Sequence, residues 1–148
     1  MHSIQASFIA LALSAGAASS ALAQSDFAQV AAKESGAKVT ASGLVFRSLQ
    51  DGQGASPTAT DKVKVHYRGT FPDGKEFDSS YKRNQPIDFP LNAVIPCWTE
   101  GVQLMKVGGK AKLTCPPGIA YGARGAGGVI PPNATLQFEV ELIAIAGR

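Results

Sequence analysis

Residues 62–78 read Lys-Val-Lys-Val-His-Tyr-Arg-Gly-Thr-Phe-Pro-Asp-Gly-Lys-Glu-Phe-Asp. The first seven residues alternate, with Val63, Val65 and Tyr67 on one face and charged or polar side chains on the other. This period of two predicts a half-buried antiparallel strand. Asp73-Gly74 follows as a strong signal for a tight turn, so we expect the chain to reverse direction there.

Further strands are predicted on both sides of this stretch. Strand signals occur in residues 43–48, 87–91, 110–115 and 136–142, and the last of these has the clearest alternation in the chain. Pro90 interrupts the second run, which therefore predicts an edge strand or a bulged strand.

One short helix is predicted to begin at Pro96. Trp98, Val102 and Met105 follow at helical spacing and give it a single apolar face, and Gly108-Gly109 ends the pattern. A helix with one apolar stripe must bury that stripe against a sheet. The predicted fold is therefore α+β, with a curved antiparallel β-sheet wrapped around one short central helix.

The composition excludes some classes of function. A chain of 148 residues fits one domain. The formal net charge is +3, but the basic residues are scattered between Lys33 and Arg148 without a run. Nucleic-acid binding is therefore not expected, and the charge is better explained by solubility.

The N-terminus has the character of a secretory signal peptide. Residues 1–23 contain no Asp, Glu, Lys or Arg and end in Ala21-Leu22-Ala23, an A-x-A cleavage site. The alternative is a disordered Ala/Ser-rich tail, and the stretch is too weakly apolar for a permanent membrane span. We expect an exported protein, periplasmic or secreted, in which residues 24–42 form a short helix or a loose lead-in to a domain at 43–148.

The chain has two cysteines, Cys97 and Cys115. In an exported protein they are candidates for one disulfide, and the alternative is two buried free thiols. Their spacing, without a second Cys or His cluster, argues against a metal site.

Ordinary catalytic sets are missing from the sequence. Of the two histidines, His2 lies in the signal stretch and His66 on the polar face of a strand, where a solvated surface role is expected. The sequence has no Gly-x-Ser-x-Gly motif and no phosphate-binding loop. Hydrolysis by an activated nucleophile and phosphoryl transfer are therefore unsupported.

Five separated stretches remain, rich in aromatic and apolar residues: 65–70, 73–80, 94–101, 120–122 and 130–136. In their order and spacing the chain closely resembles the FKBP family of peptidyl-prolyl cis-trans isomerases. The resemblance covers about residues 43–146 and is closest to small exported bacterial members.

The resemblance implies an apolar pocket for a proline ring, with Trp98 as its floor. The implied walls are Tyr67, Phe77, Val94, Ile95 and Phe138. Asp78 and Tyr121 are implied as polar groups at the rim, and the Ile95 N–H as the donor to a substrate carbonyl. Taken singly, Trp98 and Phe138 would also suit a core, Asp78 a turn cap and Tyr121 a structural role.

The resemblance further implies that Val129 and Ile130 lie on a loop that closes over the bound peptide. Three features depart from the common family pattern. Cys97 replaces a glycine before the tryptophan, Ile87 stands where many members have an aromatic wall residue, and residues 126–128 replace a bulkier loop.

The implied activity is rotation about Xaa-Pro peptide bonds during protein folding. The rotation breaks no bond, so it requires no nucleophile, metal or cofactor, and a non-covalent mechanism is expected. The expected partners are proline-containing unfolded or extended polypeptides. The family resemblance also implies that macrolide immunosuppressants bind. The alternative is a non-catalytic peptide-binding or chaperone module on the same fold. The short lead-in and the short polar loop 80–86 favour a monomeric enzyme.

Overall fold

The structure, a computed structural model, describes residues 26–147. Its strands are β1 (Ala37–Val39), β2 (Val45–Gln50), β3 (Lys62–Thr70), β4 (Glu76–Ser79), β5 (Ile87–Pro90), β6 (Lys110–Cys115) and β7 (Leu136–Ile145). Helix α1 is described over residues 26–32 and helix α2 spans Pro96–Gln103, and short 3-10 turns lie at Leu91–Ala93 and Pro117–Ile119. No helix within residues 26–147 has the length and apolar character needed to cross a membrane. The predicted signal peptide lies outside the described residues.

All seven strands join one antiparallel sheet in the order β1-β2-β6-β7-β3-β4, with β5 also paired to β3. Strand β3 is long enough to pair with β5 along residues 62–65 and with β4 along residues 68–70. The alternation that predicted β3 is confirmed, because Val63, Val65 and Tyr67 are buried. The Asp73-Gly74 turn joins β3 to β4, and Gly74 has the positive φ of 89° that such a turn favours.

One face of the sheet buries helix α2 through Trp98 and Val102. A Cβ atom added at Gly101 would lie 2.8 Å from Cδ1 of Leu113 on β6. A side chain at this position would displace the Leu113 side chain, so glycine lets α2 approach the sheet this closely. The predicted α+β architecture, an antiparallel sheet with a short central helix, is confirmed.

The structure contains the Cys97–Cys115 disulfide, with a Cα–Cα distance of 5.8 Å. Both cysteines are fully buried. The bridge joins the start of α2 to the end of β6, so it fixes the helix against the sheet at the end where the helix begins.

Two local features differ from the sequence-based expectations. Strand β1 was not predicted, because it has only three residues and its pairing to β2 is a backbone interaction that gives no apolar alternation. The expected solvated role of His66 is wrong. Its ring is half-buried, its Nδ1 lies 2.8 Å from Oγ of Ser80, and it stacks on Tyr81 with ring centroids 4.6 Å apart.

Candidate active site

A cavity of about 480 Å³ opens between helix α2 and the sheet. Ten residues line it: Tyr67, Phe77, Asp78, Phe89, Ala93, Val94, Ile95, Trp98, Tyr121 and Phe138. Asp78 is the one charged residue among them. We call this cavity the aromatic pocket.

The floor of the aromatic pocket is the indole of Trp98, whose residue is only 4% exposed. Three rings meet it nearly at right angles, with centroid distances of 5.3 Å for Tyr67, 5.5 Å for Phe89 and 5.4 Å for Phe138. Edge-to-face contacts of this kind are a favoured aromatic geometry. They hold the plane of the indole, whose buried Nε1 has no hydrogen-bond partner among residues 26–147. Ring contacts rather than hydrogen bonds therefore position the floor.

One wall is built from Phe77 and Phe138, whose rings meet edge to face at 5.6 Å. Phe71 supports Phe77 from a centroid distance of 4.9 Å. The wall depends on Gly69 of β3, which pairs with both Asp78 and Phe138. A Cβ atom at Gly69 would lie 2.5 Å from Cζ of Phe77 and 3.0 Å from Cε1 of Phe138. The missing side chain of Gly69 therefore provides the space that both rings occupy.

The polar rim of the aromatic pocket is a closed hydrogen-bond network around Asp78. Arg83 donates from Nη1 to Oδ1 of Asp78 at 2.7 Å and from Nη2 to the hydroxyl oxygen of Tyr67 at 3.2 Å. The Tyr67 hydroxyl donates to Oδ2 of Asp78, and the Ser79 N–H donates to Oδ1 at 2.9 Å. Both carboxylate oxygens are therefore already engaged before any substrate binds.

This network also sets the charge states at the rim. Burial acts to raise the pKa of Asp78, but the hydrogen bonds from Arg83 and Tyr67 outweigh it and hold that pKa below its ordinary value. Burial and the hydrogen bond to Asp78 raise the pKa of Tyr67 above its ordinary value. At neutral pH the rim therefore holds a carboxylate beside a neutral phenol, and neither is poised to exchange a proton.

Tyr121 and Ile95 complete the opening of the pocket. Tyr121 is 40% exposed, on the segment that follows the 3-10 turn Pro117–Ile119. Ile95 is the N-cap residue of α2, and its carbonyl accepts hydrogen bonds from Trp98 and Thr99. In the part of the chain that the structure describes, no backbone hydrogen bond uses the Ile95 N–H. This donor is therefore free to bind a substrate carbonyl.

Three predicted site residues do not line the aromatic pocket. Ile87 is partly buried against the core from β5, and Val129 is 56% exposed. Ile130 is 7% exposed and pairs with Ala126 in an isolated bridge. Val129 and Ile130 line a separate cavity within residues 124–132, so their role in closing over a peptide stays a prediction.

Three residues of the site were missed by sequence reasoning. Phe89 lines the pocket in place of Ile87, and the alternation along β5 already put both on one face. Ala93 lines it from the 3-10 turn before α2. Arg83 gave no motif signal, since it reaches Asp78 across the turn after β4 and only the folded chain brings them together.

The site offers shape and polarity rather than reactive groups. Among residues 26–147, no cluster of three or more His, Cys, Asp or Glu side chains is arranged to hold a metal ion. The two cysteines are joined in the disulfide and are not nucleophiles. The chemistry that the aromatic pocket supports is binding and reorientation of an apolar group beside one fixed carboxylate.

Comparison with known proteins agrees with this geometry. The family model described as FKBP-type peptidyl-prolyl cis-trans isomerase matches residues 53–143. The FKBP-type isomerase FkpA of Aeromonas hydrophila is 59% identical over 114 residues, which cover 77% of this chain and 42% of that protein. The FKBP-type 22 kDa isomerase of Escherichia coli K12 is 54% identical over the same length, covering 77% of this chain and 55% of that protein. This chain thus spans about half the length of these curated relatives.

Solved structures show the same fold. The crystal structure of FkpA from Escherichia coli superposes with a TM-score of 0.81 at 43% identity, covering 97% of this chain and 70% of that one. The peptidyl-prolyl isomerase of Pseudomonas syringae gives a TM-score of 0.79 at 42% identity, covering 86% of this chain and 94% of that one. With its sequence pattern, fold and aromatic pocket in agreement, the chain belongs to the family of FKBP-type peptidyl-prolyl cis-trans isomerases.

Proposed function

We propose that this protein accelerates rotation about Xaa-Pro peptide bonds in unfolded or extended polypeptides. The observation that carries the proposal is the aromatic floor of the pocket, the indole of Trp98 held by edge-to-face ring contacts, beside one fixed carboxylate. Its volume of about 480 Å³ is enough for a proline ring and its neighbouring peptide groups.

The physics of the reaction fits such a pocket. Amide resonance gives peptide rotation a barrier of about 18–20 kcal/mol, and uncatalysed prolyl isomerisation takes tens to hundreds of seconds. The twisted amide separates less charge than the planar one, so an apolar pocket disfavours the planar ground state relative to the transition state. The Ile95 N–H fixes a flanking carbonyl and favours the twisted conformer.

Asp78 and Tyr67 act in this proposal by position and charge, since the rim network holds them in fixed protonation states. Arg83 is a positioning residue that keeps both groups at the rim. Tyr121 contacts the substrate from the open side of the pocket. No proton or electron pair is transferred.

We also propose that the protein is exported and works in an oxidising compartment, with residues 43–148 as its isomerase domain. The Cys97–Cys115 disulfide supports export, because such bridges persist outside the reducing cytosol. Thiol titration of the protein recovered from the cell envelope or the medium tests this. Export predicts no reactive thiol before reduction, and two reactive thiols would contradict it.

A proline-limited refolding assay on the full chain tests the proposed activity. The wild type is expected to accelerate the slow phase, and a macrolide immunosuppressant is expected to compete. Tyr121→Ala and Tyr81→Ala form a matched pair, since both tyrosines are 40% exposed and only Tyr121 lines the aromatic pocket. Loss of activity only in the Tyr121 variant supports the site. Peptide binding without any acceleration would favour the non-catalytic module instead.

A further inference from the structure

We propose that a second cavity, beside the aromatic pocket, binds the residues that flank the proline in an extended polypeptide and takes an apolar side chain there. This outer groove has a volume of about 710 Å³, and Val94, Pro96, Thr99, Gln103, Leu104 and Ile119 are among its lining residues. The inference rests on the proposed isomerase function and deepens it, because it names a specificity site on the same substrate.

Three consecutive residues, 94–96, connect the linings of the two cavities. Val94 lines both, Ile95 lines the aromatic pocket and Pro96 lines the outer groove. The free N–H of Ile95 lies between them along the chain. A polypeptide that binds the Ile95 N–H therefore lies next to Val94 and Pro96, which both line the outer groove.

An unfolded substrate is long enough to reach beyond the aromatic pocket. The aromatic pocket holds a proline and its neighbouring peptide groups, but an unfolded polypeptide continues in both directions. An extended chain advances about 3.3–3.6 Å per residue. Two to four residues beyond the pocket therefore span roughly 7–14 Å. Because Val94 lines both cavities, a chain that leaves the aromatic pocket along Val94 meets the outer groove.

The chemistry of the outer groove favours an apolar side chain. Its polar side chains are largely satisfied within the protein: Oγ of Thr99 donates to the Leu91 carbonyl at 2.6 Å, and Nε2 of Gln103 donates to the Thr99 carbonyl at 2.7 Å. Leu104 is 50% exposed in this groove, although large apolar side chains usually gain free energy by burial. What the groove offers a ligand is therefore mainly apolar surface.

Glu100 adds a charge preference. It is the one charged residue that lines the outer groove among residues 26–147, and Ser42 donates a hydrogen bond to its Oε1 at 2.5 Å. No Lys or Arg of the described chain lines the groove. A flanking Lys should therefore be accepted more readily than a flanking Glu.

The test compares peptides that share one Leu-Pro bond. A four-residue peptide reports on the aromatic pocket alone. Four ten-residue peptides report on the outer groove. In each of them the positions on either side of the Leu-Pro pair all carry one residue type: Leu, Ser, Lys or Glu. We expect the full-length wild type to have a kcat/KM about three- to tenfold higher for the Leu peptide than for the Ser peptide.

Two variants connect this preference to the groove. Leu104→Gln should reduce the ratio of Leu to Ser peptides to about one. Val39→Gln is the matched control, because Val39 is 58% exposed on β1 and lines neither cavity, so the ratio should stay at the wild-type value. Glu100→Gln should remove the discrimination between Lys and Glu peptides. Urea unfolding of each variant shows that it is folded.

The outcomes separate the two proposals. If the wild type does not isomerise even the short peptide, the proposed function fails. If it isomerises the short peptide but the Leu to Ser ratio is one, or if Leu104→Gln and Val39→Gln give the same ratio, the outer groove is not a substrate site. A dimer that dissociates only in Leu104→Gln, seen by sedimentation and without any peptide preference, would assign the groove to a second copy of this chain and overturn the inference.

Discussion

The replacement Gly69→Ala tests how the aromatic pocket is built. A Cβ atom there would lie 2.5 Å from Cζ of Phe77, whereas carbon atoms in favourable contact are about 3.5–4.0 Å apart. The ring must therefore retreat by at least about 1 Å. Phe71 stands behind it at a centroid distance of 4.9 Å, and Phe138 also lies within 3.0 Å of the added atom, so neither direction is free.

Overpacking of this kind costs about 1–3 kcal/mol, while replacing glycine by alanine recovers about 0.4–1 kcal/mol from the unfolded chain. We expect a net loss of about 1–2 kcal/mol in the free energy of unfolding. Because the displaced ring is a pocket wall, kcat/KM should fall by about tenfold or more. Urea unfolding followed by the fluorescence of Trp98, the single tryptophan, measures the first quantity, and a peptide isomerisation assay measures the second.

Gly118→Ala is the matched control. A Cβ atom at Gly118 meets nothing within 4 Å, and its φ lies outside the left-handed region. A second change, Phe77→Leu, removes the ring atoms that clash, so in the Gly69→Ala background it should destabilise less than it does in the wild type. If Gly69→Ala unfolds within about 0.5 kcal/mol of the wild type and keeps its kcat/KM within about twofold, the reasoning about the wall is wrong.

Four further predictions concern the disulfide and the rim. Replacing Cys97 and Cys115 together by alanine should lower the free energy of unfolding, measured in urea, by about 3 kcal/mol, because the bridge closes a loop of 18 residues. A loss under about 1 kcal/mol would contradict this. The pH profile of kcat/KM should be nearly flat from about pH 5.5 to 9, because the pKa of Asp78 is lowered and that of Tyr67 is raised. A steep bell-shaped profile centred near neutral pH would count against the mechanism. The Asp78 carboxylate stabilises the folded protein above its unfolded pKa, near 3.8, and this stabilisation is lost as the pH falls through the lower folded pKa. The free energy of unfolding of Asp78→Asn should therefore lack this loss when it is followed into acid. Arg83→Met should lower kcat/KM about three- to tenfold and change stability little, because the ion pair is exposed. Equal activity in the two proteins would remove Arg83 from the site.

Much of the fold follows from local pattern in the sequence. The alternation in β3 and β7 and the apolar stripe of α2 each report which face is buried, so the sheet and the helix could be predicted. Strand β1 could not, because its pairing with β2 involves backbone groups that carry no side-chain signal. The alternation of Ala111, Leu113 and Cys115 puts Thr114 on the polar face of β6, yet Thr114 is buried by neighbouring strands and accepts a hydrogen bond from Gln137.

The aromatic pocket was predictable where the family motifs mark it and less so elsewhere. Trp98 and Phe77 lie in the lining as expected, whereas Phe89 was overlooked on the same strand as Ile87. The Arg83 contact depends on the path of the chain after β4, and the space at Gly69 depends on two rings from different strands. Such relations between distant side chains exist only after folding.

The most direct test of the central claim is exchange spectroscopy by NMR on a short peptide with one Leu-Pro bond. Catalytic amounts of the full chain should make the cis and trans signals exchange far faster than in the free peptide. The acceleration should be reduced in Tyr121→Ala and retained in Tyr81→Ala. Peptide signals that shift on binding while the cis-trans exchange rate remains that of the free peptide would show a binding module and contradict the proposed activity.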